Sequence, residues 1–403
     1  MKLKAPQPTK TMTESKNIEA SGNSDSLPVL GDLSIAVFHD NFAQMGGAER
    51  VAEAIYEALP GADLLSTLSA PEILSKGLQS ARITNTWMNR LPNKARLFRA
   101  YFLLYPFAVD HVDLSAYDLI ISSCFGYAKG VRRRAGAVHV CYCHTPMRWV
   151  WRTEDYLSRE KNGYLKSLLL SLPLKWLKRW EIGAATRPDF YIANSRVVAA
   201  RLKSSFGVEA EVIPPPIDTA RFSPTKKTPE PEREEYYLIL SRLVPYKRFD
   251  LAIQACSQTN RRLVVIGGGP DRKRLEEMAG PSVKFLGRAP DEVVTQYVQH
   301  CEALLFPGEE DFGMTPLEVN SAGRPVIAFA AGGATETIVD GLNGVFFDEA
   351  SVSSLIDAMD RFEKMAWDEA AIQRHAATYD IKVFQERITE FARNALSKRS
   401  FHP

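Results

Sequence analysis

The chain has 403 residues, 45% of them hydrophobic, and its formal net charge is only +2. This length allows two domains with complete cores, and this composition excludes a chain that is disordered throughout. The small net charge excludes a general attraction to nucleic acid, so any anion must be bound by a local cluster of charge. No stretch approaches the roughly 20 apolar residues that a membrane-spanning helix needs.

The N-terminal segment, residues 1–30, is polar and has no apolar core of the signal-peptide kind, so we predict a disordered tail. The five cysteines are an odd number, and Cys141 and Cys143 lie in an apolar run. These features indicate reduced thiols in a cytosol-like compartment. We therefore expect the protein to lie on the cytoplasmic side.

Residues 31–216 are predicted to form a first α/β domain. Short apolar runs at 35–38, 119–121, 138–141 and 191–193 indicate buried strands, and they alternate with helical patterns. After Gly46 and Gly47, apolar residues at Val51, Ile55 and Leu59 have the spacing of a helix. This alternation is typical of a doubly wound fold with a parallel sheet.

A second domain of the same kind is predicted over residues 236–380. The linker before it, 217–235, contains three prolines and no hydrophobic period. Further strands are predicted at 237–240, 263–266, 283–286, 303–306 and 326–329. Two Rossmann-like domains leave a cleft at the carboxyl ends of their strands. The last segment, 381–403, is predicted to contain a helix that crosses back onto the first domain.

Two motifs of the first domain follow predicted strands. Gly46 and Gly47 form a tight turn in the simpler interpretation, and they allow close approach of a phosphate in the functional one. His144 ends the strand of Cys141 and Cys143 and is expected to face the cleft, where it is a candidate for ligand contact. A Cys-x-Cys-His string also suits zinc, but no second cluster has zinc spacing, and no metal is predicted.

Two stretches of the first domain, residues 94–107 and 161–179, mix basic residues with apolar and aromatic ones. The second has helical spacing and is flanked by tryptophans. An amphipathic basic helix can lie on an anionic leaflet, whereas a buried helix with a solvated basic edge is the alternative. We predict peripheral contact with the inner face of the plasma membrane.

Two basic side chains follow the first strand of the second domain. Arg242 and Lys247 could clamp a diphosphate and stabilise it as a leaving group, although solvated surface cations are the simpler alternative. Three glycines follow the next strand, but Arg272 stands where the fingerprint Gly-x-Gly-x-x-Gly requires its last glycine, and Pro270 removes a donor. A nicotinamide cofactor is therefore not expected.

The most informative segment is the acidic loop after the strand 303–306. Glu310 and Glu318 flank Phe312 and Gly313 at a predicted helix start, whose free N–H groups suit a phosphate. Carboxylates accept hydrogen bonds from hydroxyls. Matching of the helix dipole explains the acids at 309–311 more simply, but it does not explain Glu318. The loop therefore indicates a site that could hold both a sugar and its nucleotide.

Together these motifs resemble those of the retaining GT-B glycosyltransferases of family four, over nearly everything from Leu33 to the last helix. The segments that match are 46–50, 144–146, 194–195, 241–243 with Lys247, 287–289 and the two-glutamate loop. Within the family, residues 38–40 and 146–149 are most similar to bacterial O-antigen and exopolysaccharide mannosyltransferases. Asp311 stands where many relatives have proline, and Ala289 stands where a bulkier aliphatic residue is common.

The resemblance implies a nucleotide-sugar site composed of Gly46, Gly47, Arg242, Lys247, Arg288, Ala289, Glu310, Phe312, Gly313, Met314, Thr315 and Glu318. Of these, Arg242 and Lys247 would bind the donor diphosphate, Glu310 the sugar hydroxyls and Glu318 the ribose. Backbone N–H groups at the helix start would reach the sugar and phosphate. Arg288 and Ala289 would lie beside the base. Glu310, Arg242, Lys247 and His144 would take part in the reaction.

The resemblance also implies a hexosyl transfer that requires no metal and no other cofactor, which agrees with the absence of an Asp-x-Asp motif from the sequence. The expected donor is GDP-mannose, and the expected acceptor is a lipid-linked oligosaccharide. A UDP-sugar is the alternative donor, because Asp291 could accept a hydrogen bond from guanine or from uracil. A protein that binds nucleotide sugars without catalysis is a further alternative, whereas nucleic acid is not an expected partner.

Overall fold

The computed structural model of the chain describes residues 30–151, 163–223 and 235–400. The first domain is built on a seven-stranded parallel sheet with the order β3-β2-β1-β4-β5-β6-β7. Its strands are β1 (Ile35–His39), β2 (Asp63–Ser66), β3 (Ile83–Asn85), β4 (Leu119–Cys124), β5 (Val138–Cys143), β6 (Phe190–Ala193) and β7 (Glu211–Val212). β1, β4 and β5 are buried along their whole length, as expected for a parallel sheet covered on both faces.

The second domain is built on a six-stranded parallel sheet with the order β10-β9-β8-β11-β12-β13. Its strands are β8 (Tyr237–Leu240), β9 (Leu263–Ile266), β10 (Val283–Gly287), β11 (Ala303–Phe306), β12 (Val326–Phe329) and β13 (Gly344–Phe347). The strand order reverses between β1 and β4 in one sheet and between β8 and β11 in the other. Ligands of open α/β sheets bind at such reversals, outside the carboxyl ends of the strands.

Seven α-helices of the first domain lie in the described residues. They are α1 (Gly47–Glu57), α2 (Lys76–Ser80), α3 (Lys94–Leu97), α4 (Tyr105–Asp110), α5 (Arg148–Trp151), α6 (Gly163–Ala184) and α7 (Arg196–Phe206). α1 begins directly after Gly46, whose N–H donates to Glu49 Oε2 at 2.9 Å. Ser195 caps α7 by accepting from the N–H of Val198 at 3.2 Å. These caps satisfy donors that the first turn of a helix leaves free.

Seven helices accompany the second sheet and an eighth ends the chain. They are α8 (Phe249–Thr259), α9 (Arg272–Met278), α10 (Asp291–His300), α11 (Met314–Ser321), α12 (Ala334–Thr337), α13 (Val352–Phe362), α14 (Glu369–Ala377) and α15 (Ile381–Ser400). Short 3₁₀ helices lie at Leu30–Asp32, Pro71–Ile73, Trp87–Arg90, Ala128–Gly130 and Pro245–Lys247.

The last helix, α15, packs on the first domain as predicted. Phe384, Ile388, Ala392 and Ala395 recur at helical spacing and are buried in the core that covers one face of the first sheet. The ring of Phe384 contacts that of Tyr142 on β5, with centroids 5.8 Å apart. The chain therefore enters the second domain once and returns, so that the two domains share a hinge made of two segments.

Several predicted segments lie wholly or partly outside the described residues. These are residues 1–29 of the tail, 152–162 of the first domain with the start of the basic stretch, 224–234 of the linker, and 401–403. In the described part of the linker, Ile217 and Phe222 are buried against the second domain, so the packed structure extends to residue 222. Among the helices of the described ranges, none has the length and apolarity to cross a membrane.

Candidate active site

The loops that follow β8, β11 and β12 meet at the strand reversal of the second sheet. A Cβ atom on Gly308 would lie 2.6 Å from the Cα atom of Lys247, so the loop after β11 touches the loop after β8 only because residue 308 is glycine. Gly332, after β12, has a φ of +63°, and a side chain there would collide with the carbonyl of Glu310. Glycine thus lets three loops converge around Lys247 and Glu310.

Lys247 and Glu310, which sequence reasoning assigned to the diphosphate and the sugar, form an ion pair. Lys247 Nζ lies 2.7 Å from Glu310 Oε1 and also 2.7 Å from Ser241 Oγ. The lysine side chain is 14% exposed and that of the glutamate 20%. An ammonium group that is partly open and already fixed by two partners is well placed to share its charge with a bound phosphate.

Glu318, the predicted ribose ligand, is nearly buried and lies between two arginines. Its Oε1 atom is 2.5 Å from Arg50 Nη1 of the first domain and 3.9 Å from Arg221 Nη1. Arg221 in turn donates to Asp291 Oδ1 at 2.9 Å. Sequence reasoning did not assign Arg221, because an arginine in a proline-rich connection carries no motif. The structure links it to the predicted ribose ligand and to the carboxylate considered for base recognition.

Arg242 and Arg288 are exposed on the loops after β8 and β10, and neither forms an ion pair with a described residue. The stem of Arg288 lies beside Gly268 on the loop after β9. Ala289 is half-buried against the core of the second sheet. Both guanidinium groups are therefore exposed and have no ion-pair partner in the described ranges.

The start of α11 carries the remaining predicted contacts of the second domain. Gly313 has a φ of +83° and precedes the helix, whose first N–H groups, at Met314 and Thr315, have no acceptor within the helix. Phe312, in contrast, is only 4% exposed and packs beside Tyr379, with ring centroids 6.1 Å apart. In this structure the Phe312 ring anchors the loop, and any contact of this residue with a ligand is left to its backbone.

The first domain faces α11 through its own glycine turn. A Cβ atom on Gly47 would lie 2.9 Å from Met314 Sδ, so the two domains are in contact at this point. Gly46 lies beside it as the cap of α1. The carboxyl group of Glu49 is fully buried, and burial raises its pKa to about 7. The carboxylate of Glu49 holds the turn in place through its hydrogen bond with the N–H of Gly46.

His144 lies at the end of β5 and is held by a chain of side-chain hydrogen bonds. Its Nε2 atom is 2.9 Å from Ser123 Oγ, which is 3.0 Å from Nδ1 of His39. Burial lowers the pKa of His144 to about 3, and burial together with the charge of His144 lowers that of His39 to about 3. Both rings are therefore neutral at physiological pH. His144 can exchange hydrogen bonds but does not supply positive charge.

A buried ion pair supports the loops around His144. Lys129 Nζ and Glu181 Oε1 lie 2.7 Å apart, and both side chains are fully buried. Glu181 also accepts from the N–H of Met147 at 3.0 Å and from Trp151 Nε1 at 2.8 Å. Sequence reasoning missed this pair, since its members are separated by 52 residues and belong to no motif.

Ionic contacts also join the two domains. Asp311 of the acidic loop pairs with Arg148 at 2.6 Å and with Arg201, and Arg201 lies 3.3 Å from Glu309. The carboxylate of Glu336 accepts from the N–H groups of Arg196 and Val197 at the start of α7, at 2.8 and 3.1 Å. These contacts close one side of the cleft. In the described ranges, no group of three or more histidine, cysteine or acidic side chains is arranged to hold a metal ion.

Comparison with known families assigns both halves of the chain. Residues 45–221 match the model of Glycosyltransferase Family 4, and residues 222–380 match that of Glycosyl transferases group 1. Both domains are glycosyltransferase domains. The boundary between the two matches lies at Phe222, which is buried in the core of the second sheet.

Mannosyltransferases are among the proteins to which this chain is similar. The chain is 33% identical over 192 residues to the GDP-mannose-dependent alpha-(1-6)-phosphatidylinositol monomannoside mannosyltransferase of Mycolicibacterium smegmatis, covering 41% of this chain and 50% of that protein. It therefore spans about half the length of that relative. It is 26% identical over 299 residues to human Alpha-1,3/1,6-mannosyltransferase ALG2, covering 66% of this chain and 68% of that protein.

Solved structures confirm the GT-B fold. HepE of Anabaena in complex with UDP has a TM-score of 0.65 at 18% identity, over 89% of this chain and 99% of that one. Sucrose-phosphate synthase of Thermosynechococcus elongatus has a TM-score of 0.68 at 16% identity, over 91% of this chain and 100% of that one. The predicted pair of Rossmann-like domains is therefore correct, whereas the similarity to O-antigen enzymes stays a prediction.

Proposed function

We propose that the protein transfers mannose from GDP-mannose to a lipid-linked glycan, with retention of configuration and without a metal. The Lys247–Glu310 pair in the cleft is the observation that carries the proposal, since it places a cation for phosphate beside an acceptor for sugar hydroxyls. The mannosyl group and the donor base are suggested by the mannosyltransferases that match parts of the chain.

The leaving group is the nucleoside diphosphate. As the glycosidic bond breaks toward an oxocarbenium-like state, negative charge grows on the phosphate oxygens. Lys247, the exposed Arg242 and the free amides of α11 take up this charge, because fixed donors at the site of developing charge lower the barrier. Glu310 holds the sugar hydroxyls, and sharing of Lys247 between Glu310 and the phosphate links sugar position to bond cleavage.

The acceptor hydroxyl attacks the face from which the diphosphate leaves, and a phosphate oxygen takes its proton. This route needs no enzymic base, which agrees with the lowered pKa of His144, because a ring with a pKa of about 3 is a poor proton acceptor. His144 orients the sugar or the acceptor through a hydrogen bond. Closure of the domains excludes water and so limits hydrolysis of the donor.

The base lies beside Arg288 and Ala289, and the ribose lies on Glu318. Arg221 holds Glu318 and Asp291 in one network, so the two carboxylates are placed together for ribose and base. A UDP-sugar remains the alternative donor, because UDP and UDP-glucose are the ligands in the solved complexes of HepE.

The lipid-linked acceptor is reached through a membrane-facing surface on α6 and α4. Leu172, Lys175, Trp176 and Arg179 are all exposed and recur on one side of α6. The ring of Trp176 stacks on that of Phe107, which is 52% exposed, with centroids 5.9 Å apart. Apolar rings flanked by cations fit an anionic leaflet. Co-sedimentation with vesicles that contain phosphatidylglycerol should exceed that with pure phosphatidylcholine, and Trp176→Ser should reduce it.

The function is tested by incubating the protein with GDP-mannose, GDP-glucose, UDP-glucose and UDP-N-acetylglucosamine together with a lipid extract of the producing organism. Transfer from GDP-mannose alone, with an α-linked product in the NMR spectrum, supports the proposal. Transfer from a UDP-sugar alone would show that the donor is a UDP-sugar and not GDP-mannose. Binding of a nucleotide sugar without transfer supports the non-catalytic alternative.

A further inference from the structure

Asp311 is the residue of the acidic loop that departs from the proline common in similar enzymes, and its carboxylate pairs with two arginines of the first domain. It meets Arg148 Nη2 at 2.6 Å and also Arg201 Nη1. Both arginines belong to the first domain, whereas Asp311 belongs to the second. The aspartate side chain is 14% exposed, and those of Arg148 and Arg201 are 17% and 23% exposed. These contacts are therefore shielded from solvent, unlike a typical surface pair.

Each arginine is fixed within its own domain. Arg148 begins α5, a turn anchored by the buried Glu181, which accepts hydrogen bonds from Met147 and Trp151. The Arg148 guanidinium also lies over the ring of Tyr246 in the loop after β8, 5.3 Å from its centroid. Arg201 lies on the capped helix α7 and reaches Glu309 as well. Each arginine therefore ties Asp311 to an element that is packed within the first domain.

Asp311 is adjacent in sequence to Glu310 and close in space to His144. The electrostatic influence of Asp311 on the histidine acts to raise its pKa, against the larger effect of burial. A carboxylate at this point therefore brings together the sugar-binding loop of one domain and the strand end of the other. A proline at residue 311, which has no charge, could not form either ion pair.

We propose that Asp311 is a positioning residue, which with Arg148 and Arg201 locks the sugar-binding loop to the first domain and so places Glu310 at the cleft in a closed, water-excluding arrangement. This inference rests on the proposed glycosyl transfer. Asp311 contacts no substrate. Its loss should slow transfer by on the order of tenfold to a hundredfold, because a small misplacement of a reacting group has effects of this size. Affinity for GDP should change less than twofold.

The test compares the wild-type protein with Asp311→Asn, which keeps the shape and removes the charge, and with Asp311→Glu, which keeps the charge. Transfer and hydrolysis of GDP-mannose are measured together with GDP affinity. The expected result is a lower kcat for Asp311→Asn, more hydrolysis per transfer, unchanged GDP affinity, and partial recovery in Asp311→Glu. Arg196→Gln is the matched control, since Arg196 also faces the other domain but its side chain is 79% exposed. It should behave as wild type.

Small-angle X-ray scattering measures the closure of the two domains independently of catalytic activity. The radius of gyration of Asp311→Asn should exceed that of the wild type and of Arg196→Gln. Equal radii and equal ratios of hydrolysis to transfer would overturn the inference. So would a loss of GDP affinity at unchanged kcat, because Asp311 would then act on donor binding. If the wild type shows no transfer, the proposed function fails, and scattering still decides whether Asp311 closes the domains.

Discussion

Two lysine–glutamate pairs of this protein have the same length and opposite surroundings. Lys129 and Glu181 in the first domain lie 2.7 Å apart with no exposure, whereas Lys247 and Glu310 in the second lie 2.7 Å apart with side chains that are 14% and 20% exposed. In the first pair Lys129 also donates to the carbonyl of Gly126, and Glu181 accepts from the N–H of Met147. Under the proposed function, solvent access and not distance distinguishes the functional pair from the structural one.

The largest expected effect is on stability, at the buried pair. Lys129→Met leaves the Glu181 carboxylate buried without its cation, which should lower the free energy of unfolding by about 3–5 kcal/mol. Urea unfolding followed by circular dichroism measures the change. The double variant with Glu181→Leu should recover part of the loss, because no charge then remains buried. A single variant as stable as wild type would remove the contrast between the two pairs.

Lys247→Met should have a large effect on transfer and a smaller effect on stability. Transfer should fall by about 10²–10³-fold, because a donor aimed at the developing phosphate charge is lost. The free energy of unfolding should fall by less than for Lys129→Met, by about 1–3 kcal/mol, because this pair keeps some contact with solvent. The same urea titration and a transfer assay provide both values. Strong destabilisation with normal transfer would make this pair structural as well.

Glu318→Gln tests the predicted ribose contact. A charged acceptor contributes about 1.5–3 kcal/mol to a hydrogen bond, so affinity for GDP should fall by roughly tenfold or more. Isothermal titration calorimetry measures it. Glu309→Gln, also on the acidic loop but directed at Arg201, is the control and should retain GDP affinity. Equal affinities of wild type and Glu318→Gln would place the ribose elsewhere.

The smallest expected effect concerns pH. The folded-state pKa of His144 is about 3, below its ordinary value of 6.5, so the ring stays neutral as pH rises through 6.5. His144 should therefore contribute no step near pH 6.5 to the transfer rate, and any step from Glu49, whose pKa burial raises to about 7, should persist in His144→Gln. A pH–rate profile of the wild type tests this. A step that disappears in His144→Gln would show that the ring is charged during turnover.

The strands of the second domain were the most predictable part of the fold. Four of its five predicted strands have the observed bounds, since each is a continuous run of buried apolar residues between turns. The strands β2, β3, β7 and β13 were missed. β3 and β7 are short and partly exposed, and Gly344 at the start of β13 lacks a side chain that would signal a strand.

Sequence motifs located the polar site residues but not their partners. Lys247 and Glu310 were predicted for two different parts of the donor, and the structure shows them as one pair. The contacts of Asp311 with Arg148 and Arg201 join residues more than 100 positions apart, and no local pattern encodes such a distance. Asp311 was noticed only as a departure from its relatives, and its function follows from the way the domains face each other.

Thermal-shift titration of the wild type and Lys247→Met with GDP-mannose, GDP, UDP-glucose and UDP tests the central claim most directly, because a ligand that binds the folded state raises its stability. We expect GDP and GDP-mannose to raise the melting temperature of the wild type and to have a much smaller effect on Lys247→Met. No shift with any nucleotide, or equal shifts in the two proteins, would contradict a diphosphate site at Lys247 and Glu310.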